Sequence, residues 1–155
     1  MDRVTAAIAI GSSLGDREAH VAFARSQLTL LLNHCRLSTV IETEPVDVPG
    51  DAGRFLNAAA VGGTDLTARD LLAALHDFER QRGRQRSHVN APRTLDLDLI
   101  LFGSAIIDEP DLVVPHPRFR TRRFVLEPLA EIAPNLLDPV TGRRVADLLA
   151  ALGAA

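Results

Sequence analysis

Apolar residues recur along the chain with two periods, and the change from one to the other predicts the order of elements. Val4 to Ile10 is an apolar run of strand length, closed by Gly11-Ser12-Ser13-Leu14-Gly15, which reads as a turn. From Asp16 to Asn33 the positions Val21, Ala24, Leu28 and Leu31 or Leu32 fall on one helical face, and Asp16 and Glu18 suit the helix start. Cys35 to Thr43 alternates through Leu37, Thr39 and Ile41 as a strand does, and stops at Glu44-Pro45. Prolines, glycines and aspartates between 44 and 53 predict a loop.

Phe55 to Gly62 reads as a further strand. Thr67 with Asp70 three residues later predicts a capped helix carrying Leu71, Leu75 and Phe78 on its buried face, with Gly83 as its stop. Arg84 to Pro92 is a polar loop. Leu95 to Phe102 is the clearest strand, and a Gly103-Ser104 turn leads from it to a short strand at Ala105 to Ile107. After Pro115-His116-Pro117, short helices are predicted at Leu126 to Ala133 and Val145 to Leu152, separated by a turn at Asp138 to Gly142.

The order strand, helix, strand, strand, helix, strand matches an α+β fold of ferredoxin-like type, an antiparallel sheet with helices packed on it and a C-terminal helical extension. No repeat or linker interrupts that order, and 155 residues with 46% apolar content suit one core, so residues 1–155 are read as a single domain. The scaffold hosts many unrelated functions, so activity has to be argued from particular residues.

Composition narrows the chemistry. All 17 basic residues are arginine, which excludes any mechanism that needs a lysine, such as a Walker A loop or a Schiff base. Cys35 is the single cysteine, so no internal disulfide can form, and a reducing, cytoplasmic location is expected. No window approaches the roughly 18 apolar residues of a membrane span. The five histidines lack zinc-ligand spacing.

The strongest local signal is Pro92-Arg93-Thr94-Leu95-Asp96-Leu97-Asp98-Leu99. In a strand, Asp96 and Asp98 share a face about 7 Å apart while Leu95, Leu97 and Leu99 face the core. Such a carboxylate pair suits Mg²⁺, which keeps waters and substrate phosphates in its other positions; a solvated strand face explains the pair equally well. Nine arginines bracket it, at Arg80, Arg82, Arg84, Arg86, Arg93 and at Arg118, Arg120, Arg122, Arg123. Guanidinium groups match phosphate oxygens bidentately, so the bracketing favours a polyphosphate, although any single arginine is explained as well by a basic rim. His116 is held between two prolines beside the second cluster. Phe55 and Phe124 could clamp a flat heterocycle whose edge Asn57 reads, with core packing as the plainer account of both rings.

Taken together, Ile8-Ala9-Ile10-Gly11-Ser12, Thr43-Glu44-Pro45, Phe55-Leu56-Asn57, Glu79 with Gly83-Arg84-Gln85-Arg86, the Pro92 to Asp98 block, Pro115-His116-Pro117 and Arg122-Arg123-Phe124-Val125-Leu126 resemble the 6-hydroxymethyl-7,8-dihydropterin pyrophosphokinase family. The blocks occur in family order from Ile8 to about Pro134. The resemblance implies a folate-pathway enzyme that moves the terminal diphosphate of ATP onto the pterin hydroxymethyl oxygen and releases AMP. It implies two Mg²⁺ ions on Asp96 and Asp98, with Arg84 and Arg93 stabilising the phosphates during transfer. It implies an ATP site at Glu79, Arg84, Arg86, Arg93, Leu99, His116 and Arg122, and a pterin site at Thr43, Glu44, Pro45, Val46, Phe55, Asn57 and Phe124. The partners expected are these two small molecules, with no nucleic acid, no membrane and a monomeric chain.

The sequence departs from the family pattern at Ser13, where Asn is commoner, at Ile41, where an aromatic is usual, and at Val89-Asn90-Ala91, in place of a frequent Arg-Trp-Gly. Activity is expected to survive because Arg84, Arg86 and Arg93 remain. Two other readings stay open on the residues. One is a noncatalytic RNA-binding module, which the pI near 5.9 and the acidic pair oppose; the other is a Mg²⁺-dependent phosphohydrolase using the same aspartates.

Overall fold

The computed structural model describes residues 3–13, 15–43, 55–83 and 95–153. Strand β1 (Val4–Ser12) leads into helix α1 (Arg17–Leu31), then β2 (Asn33–Leu37), β3 (Ile41–Thr43), β4 (Phe55–Thr64), α2 (Ala68–Gln81) and β5 (Asp96–Phe102). A hairpin of β6 (Ile107–Glu109) and β7 (Leu112–Val114), a 3-10 turn at Phe119–Thr121, α3 (Arg123–Ile132) and α4 (Val145–Ala151) complete it. The sheet runs β2-β4-β1-β5 with β3 also on β4, and every pairing is antiparallel, as the ferredoxin-like reading requires.

Strand alternation divides the interior into two cores, one on each face of the sheet. Ala6, Ile8 and Ile10 of β1, Leu56, Ala58 and Ala60 of β4, and Leu97 and Leu99 of β5 meet α1 through Val21, Ala24 and Leu28 and α2 through Leu71 and Leu75. Ala7, Ala59, Val61, Ile100 and Leu101 face the other way, onto Phe119, α3 and α4. The C-terminal extension therefore covers the second face of the sheet. Asp16 caps α1 by accepting the Ala19 N–H at 3.1 Å, and Thr67 caps α2 by accepting the Asp70 N–H at 3.1 Å, both as the sequence predicts.

Several boundaries differ from expectation, each for a local reason. β1 continues through Gly11 and Ser12, because β4 pairs with both and β5 with Gly11, so Gly11 is a strand residue and not part of a turn. The single strand expected from Cys35 to Thr43 is two strands, separated by a buried Ser38 whose hydroxyl accepts the Ala59 N–H and donates to the Thr39 carbonyl, both at 2.8 Å. The strand placed at Ala105 to Ile107 lies two residues later and pairs with β7, a partner the sequence did not reveal. α3 begins at Arg123 instead of Leu126, with Pro128 inside it.

β5 also carries a bulge. Ile8 pairs with Leu99 and Ala7 with Leu101, so Ile100 is an extra residue and both it and Leu101 enter the second core. The Ile100 carbonyl accepts the His116 N–H at 3.0 Å.

The C-terminal extension is tied down by Asp138, whose side chain is fully buried. It accepts from the Arg120 guanidinium at 2.5 and 2.9 Å, from the Thr141 hydroxyl at 2.7 Å and from the Val140 N–H at 3.0 Å. Burial alone would raise its pKa, but these donors outweigh it and hold the carboxyl down to about 2. Because the folded value lies below the ordinary 3.8, the stabilisation is present above about pH 4 and is lost as pH falls towards 2. Asp138→Ala is expected to cost about 3–5 kcal/mol in a urea titration at pH 7, since it leaves Arg120 and two further donors without their acceptor. A loss under about 1 kcal/mol would contradict a buried anchor.

Candidate functional site

Strand register assembles the candidate site on the second face of the sheet, at the end that α3 and α4 leave uncovered. Asn57 pairs with Gly11, Gly11 with Asp96, and Ile41 with Asn57, so these residues form one row across the strands. The next row holds Ala59, Ala9 and Asp98, and on the opposite side Thr43 pairs with Phe55. Paired residues point to the same face, so Phe55, Asn57, Thr43, Asp96 and Asp98 project together. Between the Asn57 side and the Asp pair the floor is Gly11 and Ala9. A side-chain carbon added at Gly11 would lie 3.5 Å from Asn57 Oδ1, in ordinary contact, whereas anything larger would fill the space between the two halves.

Asn57 is buried and donates through Nδ2 to Thr43 Oγ1 at 2.6 Å, which turns its Oδ1 toward Gly11. Phe55 and Phe124 are each half-buried, and the Arg122 guanidinium lies 5.6 Å from the centre of the Phe124 ring. Arg122 is also where the 3-10 turn becomes α3.

His116 closes the Asp side. Its backbone is fixed on the Ile100 carbonyl, and its Nδ1 accepts the Arg118 N–H at 3.1 Å. A neutral ring with Nδ1 accepting carries its proton on Nε2, so His116 offers a donor and no charge. Burial lowers its pKa most, the Arg122 charge adds to that, and nearby Asp96 opposes it, giving a value of about 4.

Asp96 and Asp98 are half-buried on β5, and the backbone between them is held from below. Glu79 of α2 is 1% exposed, and its Oε2 accepts the Leu97 N–H at 2.8 Å. Leu71, Leu75 and Glu79 sit four residues apart on one helix face, so the stripe that buries two leucines also delivers this carboxylate to β5. Leu99 is 4% exposed with its side chain in the first core, so only its backbone is available to a ligand.

The structure thus brings together Thr43, Phe55, Asn57, Asp96, Asp98, His116, Arg122 and Phe124, and places Glu79 and Leu99 beneath them. Glu44, Pro45, Val46, Arg84, Arg86 and Arg93 lie outside the described residues. The role of Gly11 was missed by the sequence reading; a glycine continuing the small-residue series Ala7, Ala9 along a strand was the available signal.

A family model described as 7,8-dihydro-6-hydroxymethylpterin-pyrophosphokinase, HPPK, matches residues 7–134. The 2-amino-4-hydroxy-6-hydroxymethyldihydropteridine pyrophosphokinase of Pseudomonas aeruginosa is 41% identical over 149 residues, covering 93% of this chain and 89% of that one. The protein of the same name from Bacillus subtilis is 42% identical over 139 residues, covering 86% and 81%. The chain belongs to the HPPK family. The HPPK assignment makes it an enzyme, an ATP-dependent diphosphotransferase of folate biosynthesis, and gives no support to an RNA-binding module or a phosphohydrolase. The fold agrees: wild-type HPPK-DHPS of Plasmodium falciparum superposes with a TM-score of 0.74 at 13% identity, over 96% of this chain and 44% of that longer one.

For an HPPK-family site the donor set also bears on the metal. Among the described residues no group of three or more histidine, cysteine or acidic side chains could enclose an ion. Two carboxylates on one strand face, beside the small-residue floor of Gly11 and Ala9, fit an ion that takes its remaining ligands from water and phosphate, which is how Mg²⁺ is commonly held.

A nitrogen-15 titration should find His116 neutral and protonated on Nε2 down to about pH 4. Arg122→Gln should move that midpoint up toward the ordinary 6.5. A wild-type midpoint near 6.5 would mean that the ring is not buried in this setting. With the folded value lowered, the site is most stable above about pH 6.5 and loses that contribution as pH falls toward 4.

Proposed function

We propose that the chain transfers the terminal diphosphate of ATP to the hydroxymethyl oxygen of 6-hydroxymethyl-7,8-dihydropterin, using the face built by β3, β4, β5 and the start of α3. The observation that carries this reading is the register that sets Asn57, Gly11 and Asp96 in one row, with a heterocycle-reading amide at one end and a metal-holding carboxylate at the other. The pterin lies between Phe55 and Phe124, and Asn57 and the segment Thr43, Glu44, Pro45 and Val46 read its edge. The triphosphate lies along Asp96, Asp98, His116 and Arg122, joined by Arg84, Arg86 and Arg93 from the arginine segment.

In the transfer the hydroxymethyl oxygen releases its proton to solvent and forms a bond to the β-phosphorus, the bond from that phosphorus to the oxygen of the α-phosphate breaks, and AMP leaves with that oxygen. Asp96 and Asp98 would hold two Mg²⁺ ions, which would neutralise phosphate charge and polarise the β-phosphorus. The chain's own residues act by position and charge. The two rings align the hydroxymethyl group, Asn57 fixes the rotation of the heterocycle, the Nε2–H of His116 donates to a phosphate oxygen, and Arg122 adds a fixed positive charge. Glu79 keeps the spacing of the two aspartates by holding the Leu97 amide, and Leu99 offers backbone groups.

The two cores share one sheet, which supports reading residues 1–155 as one pyrophosphokinase domain. Among the described residues no helix is long and apolar enough to cross a membrane. With a single cysteine and substrates of the ATP pool, we assign the reaction to the cytoplasm.

Chromatography of nucleotides after incubation with Mg-ATP should show AMP, matched by pterin diphosphate, only when the pterin is present. ADP instead would sink the diphosphate reading. Asp96→Ala and Asp98→Ala should each lower turnover by about 10²-fold or more with unchanged thermal unfolding. Either one retaining wild-type rates would remove the metal role. In calorimetry Phe124→Ala should weaken the pterin more than ATP, and equal losses would reduce Phe124 to a packing residue.

A further inference from the structure

The clasp between α1 and α2 is a part-buried polar contact that neither the family reading nor the mechanism uses. His20 of α1 accepts the Arg82 Nε–H on its Nδ1 at 2.8 Å, across 62 residues of sequence. The Arg82 guanidinium also lies 5.0 Å from the centre of the Phe23 ring, and Phe23 meets Phe78 edge-on at 6.3 Å and 84°. His20 and Phe23 are three residues apart on one face of α1, so together they grip a single guanidinium. The other imidazole nitrogen, Nε2, faces Gly15, where a side-chain carbon would come within 3.3 Å and where φ is +75°. His20 therefore touches both the end of the β1–α1 connection and the end of α2.

What Arg82 holds gives the contact its meaning. Arg82 is the C-cap of α2, and its backbone N–H bonds the Glu79 carbonyl at 3.1 Å. Glu79 is the buried carboxylate that accepts the Leu97 N–H between Asp96 and Asp98. Two residues after Arg82 the chain reaches Arg84, the first arginine of the segment assigned to the phosphates. Arg82 is thus linked through Glu79 to the strand carrying both aspartates.

We propose that His20 is a positioning residue for diphosphate transfer, which by accepting from Arg82 sets the last turn of α2 and so the register of Glu79 against β5. This rests on the assignment of Asp96 and Asp98 to the metal and phosphates. The grip works only while Nδ1 has a lone pair to accept with. Protonation would set a second cation against Arg82 and break the hydrogen bond. The charged groups acting on His20 among the described residues are Arg82 from α2 and Asp16 at the start of its own helix. Burial and the Arg82 charge lower its pKa, and Asp16 opposes them, so the grip is complete above the ordinary histidine value and is released as pH falls through the lower value of the folded protein.

Two substitutions separate positioning from bulk. His20→Asn keeps an acceptor oxygen near the Nδ1 position and cannot take up a proton; His20→Ala keeps neither. At pH 7.5, His20→Ala should lower kcat/KM for ATP by about tenfold while leaving pterin affinity, measured by calorimetry without nucleotide, unchanged, and His20→Asn should recover most of the loss. In a pH series the wild type should lose kcat/KM for ATP on the acid side through one more ionisation than His20→Asn. Amide exchange at Leu97, read by NMR on the ligand-free protein, should quicken in His20→Ala and stay near wild type in His20→Asn. Equal impairment of both variants, identical acid limbs for wild type and His20→Asn, or Leu97 exchange indifferent to His20 would each overturn the proposal. A wild-type protein that makes no pterin-dependent AMP would instead overturn the reaction assignment, and the Leu97 exchange would still decide for or against the grip.

Discussion

The hydrogen bond between the Leu97 amide and the buried Glu79 carboxylate holds the site to the fold. Among the described strands β5 lies at the edge of the sheet, with β1 on one side. An edge strand exposes backbone groups that would otherwise seek water or another chain. Here the unpaired rim is used for attachment: Glu79 takes an amide from the helix layer and His116 gives its amide to the Ile100 carbonyl. The two contacts fall on either side of Asp98, and the first adjoins Asp96, so the backbone from Leu97 to Ile100 is fixed at both ends. A charged side chain so deeply buried is costly unless its oxygens are satisfied, and the backbone of β5 supplies part of that satisfaction.

The second constraint is that the sheet is covered on both faces. Where most of one face lies under α3 and α4, an open patch remains only where the residues are too small or too polar to need cover. Ala9 and Gly11 provide the small residues, and Asn57, Asp96 and Asp98 the polar ones. The patch is therefore rigid below and open above. Arg120 and Asp138 secure the cover at a distance, and Phe119, which stacks against Arg120 at 4.9 Å, belongs to the second core.

Much of this was legible in the chain. The alternation around Leu95, Leu97 and Leu99 gave the face of the aspartates directly, because side-chain direction in a strand follows from position alone. Helices α1 and α2 were legible from their caps and apolar stripes, and the element order gave the topology. The remainder depends on partners far away in sequence. Whether Gly11 ends a strand or continues it is decided by β4 and β5 alongside it, the break at Ser38 by a hydroxyl bonding to Ala59, and the β6–β7 hairpin by pairing between runs of only three residues. Within the site the aspartates and the Phe55 to Asn57 motif stood out by residue type. The resemblance put Glu79 among the ATP contacts, and its place on the Leu71 and Leu75 stripe sets its side chain inward, against β5.

The bulge at Ile100 has a consequence for how such a chain can change. Removing that residue would leave a strand of unbroken alternation, Asp96 and Asp98 outward and Leu97 and Leu99 inward, with a more regular ladder against Ala7 and Ile8. It would also take away the carbonyl on which His116 is hung. Selection for a tidier sheet and selection for a working histidine therefore pull on the same residue in opposite directions. The irregularity in β5 thus supplies the carbonyl to which the histidine arm attaches.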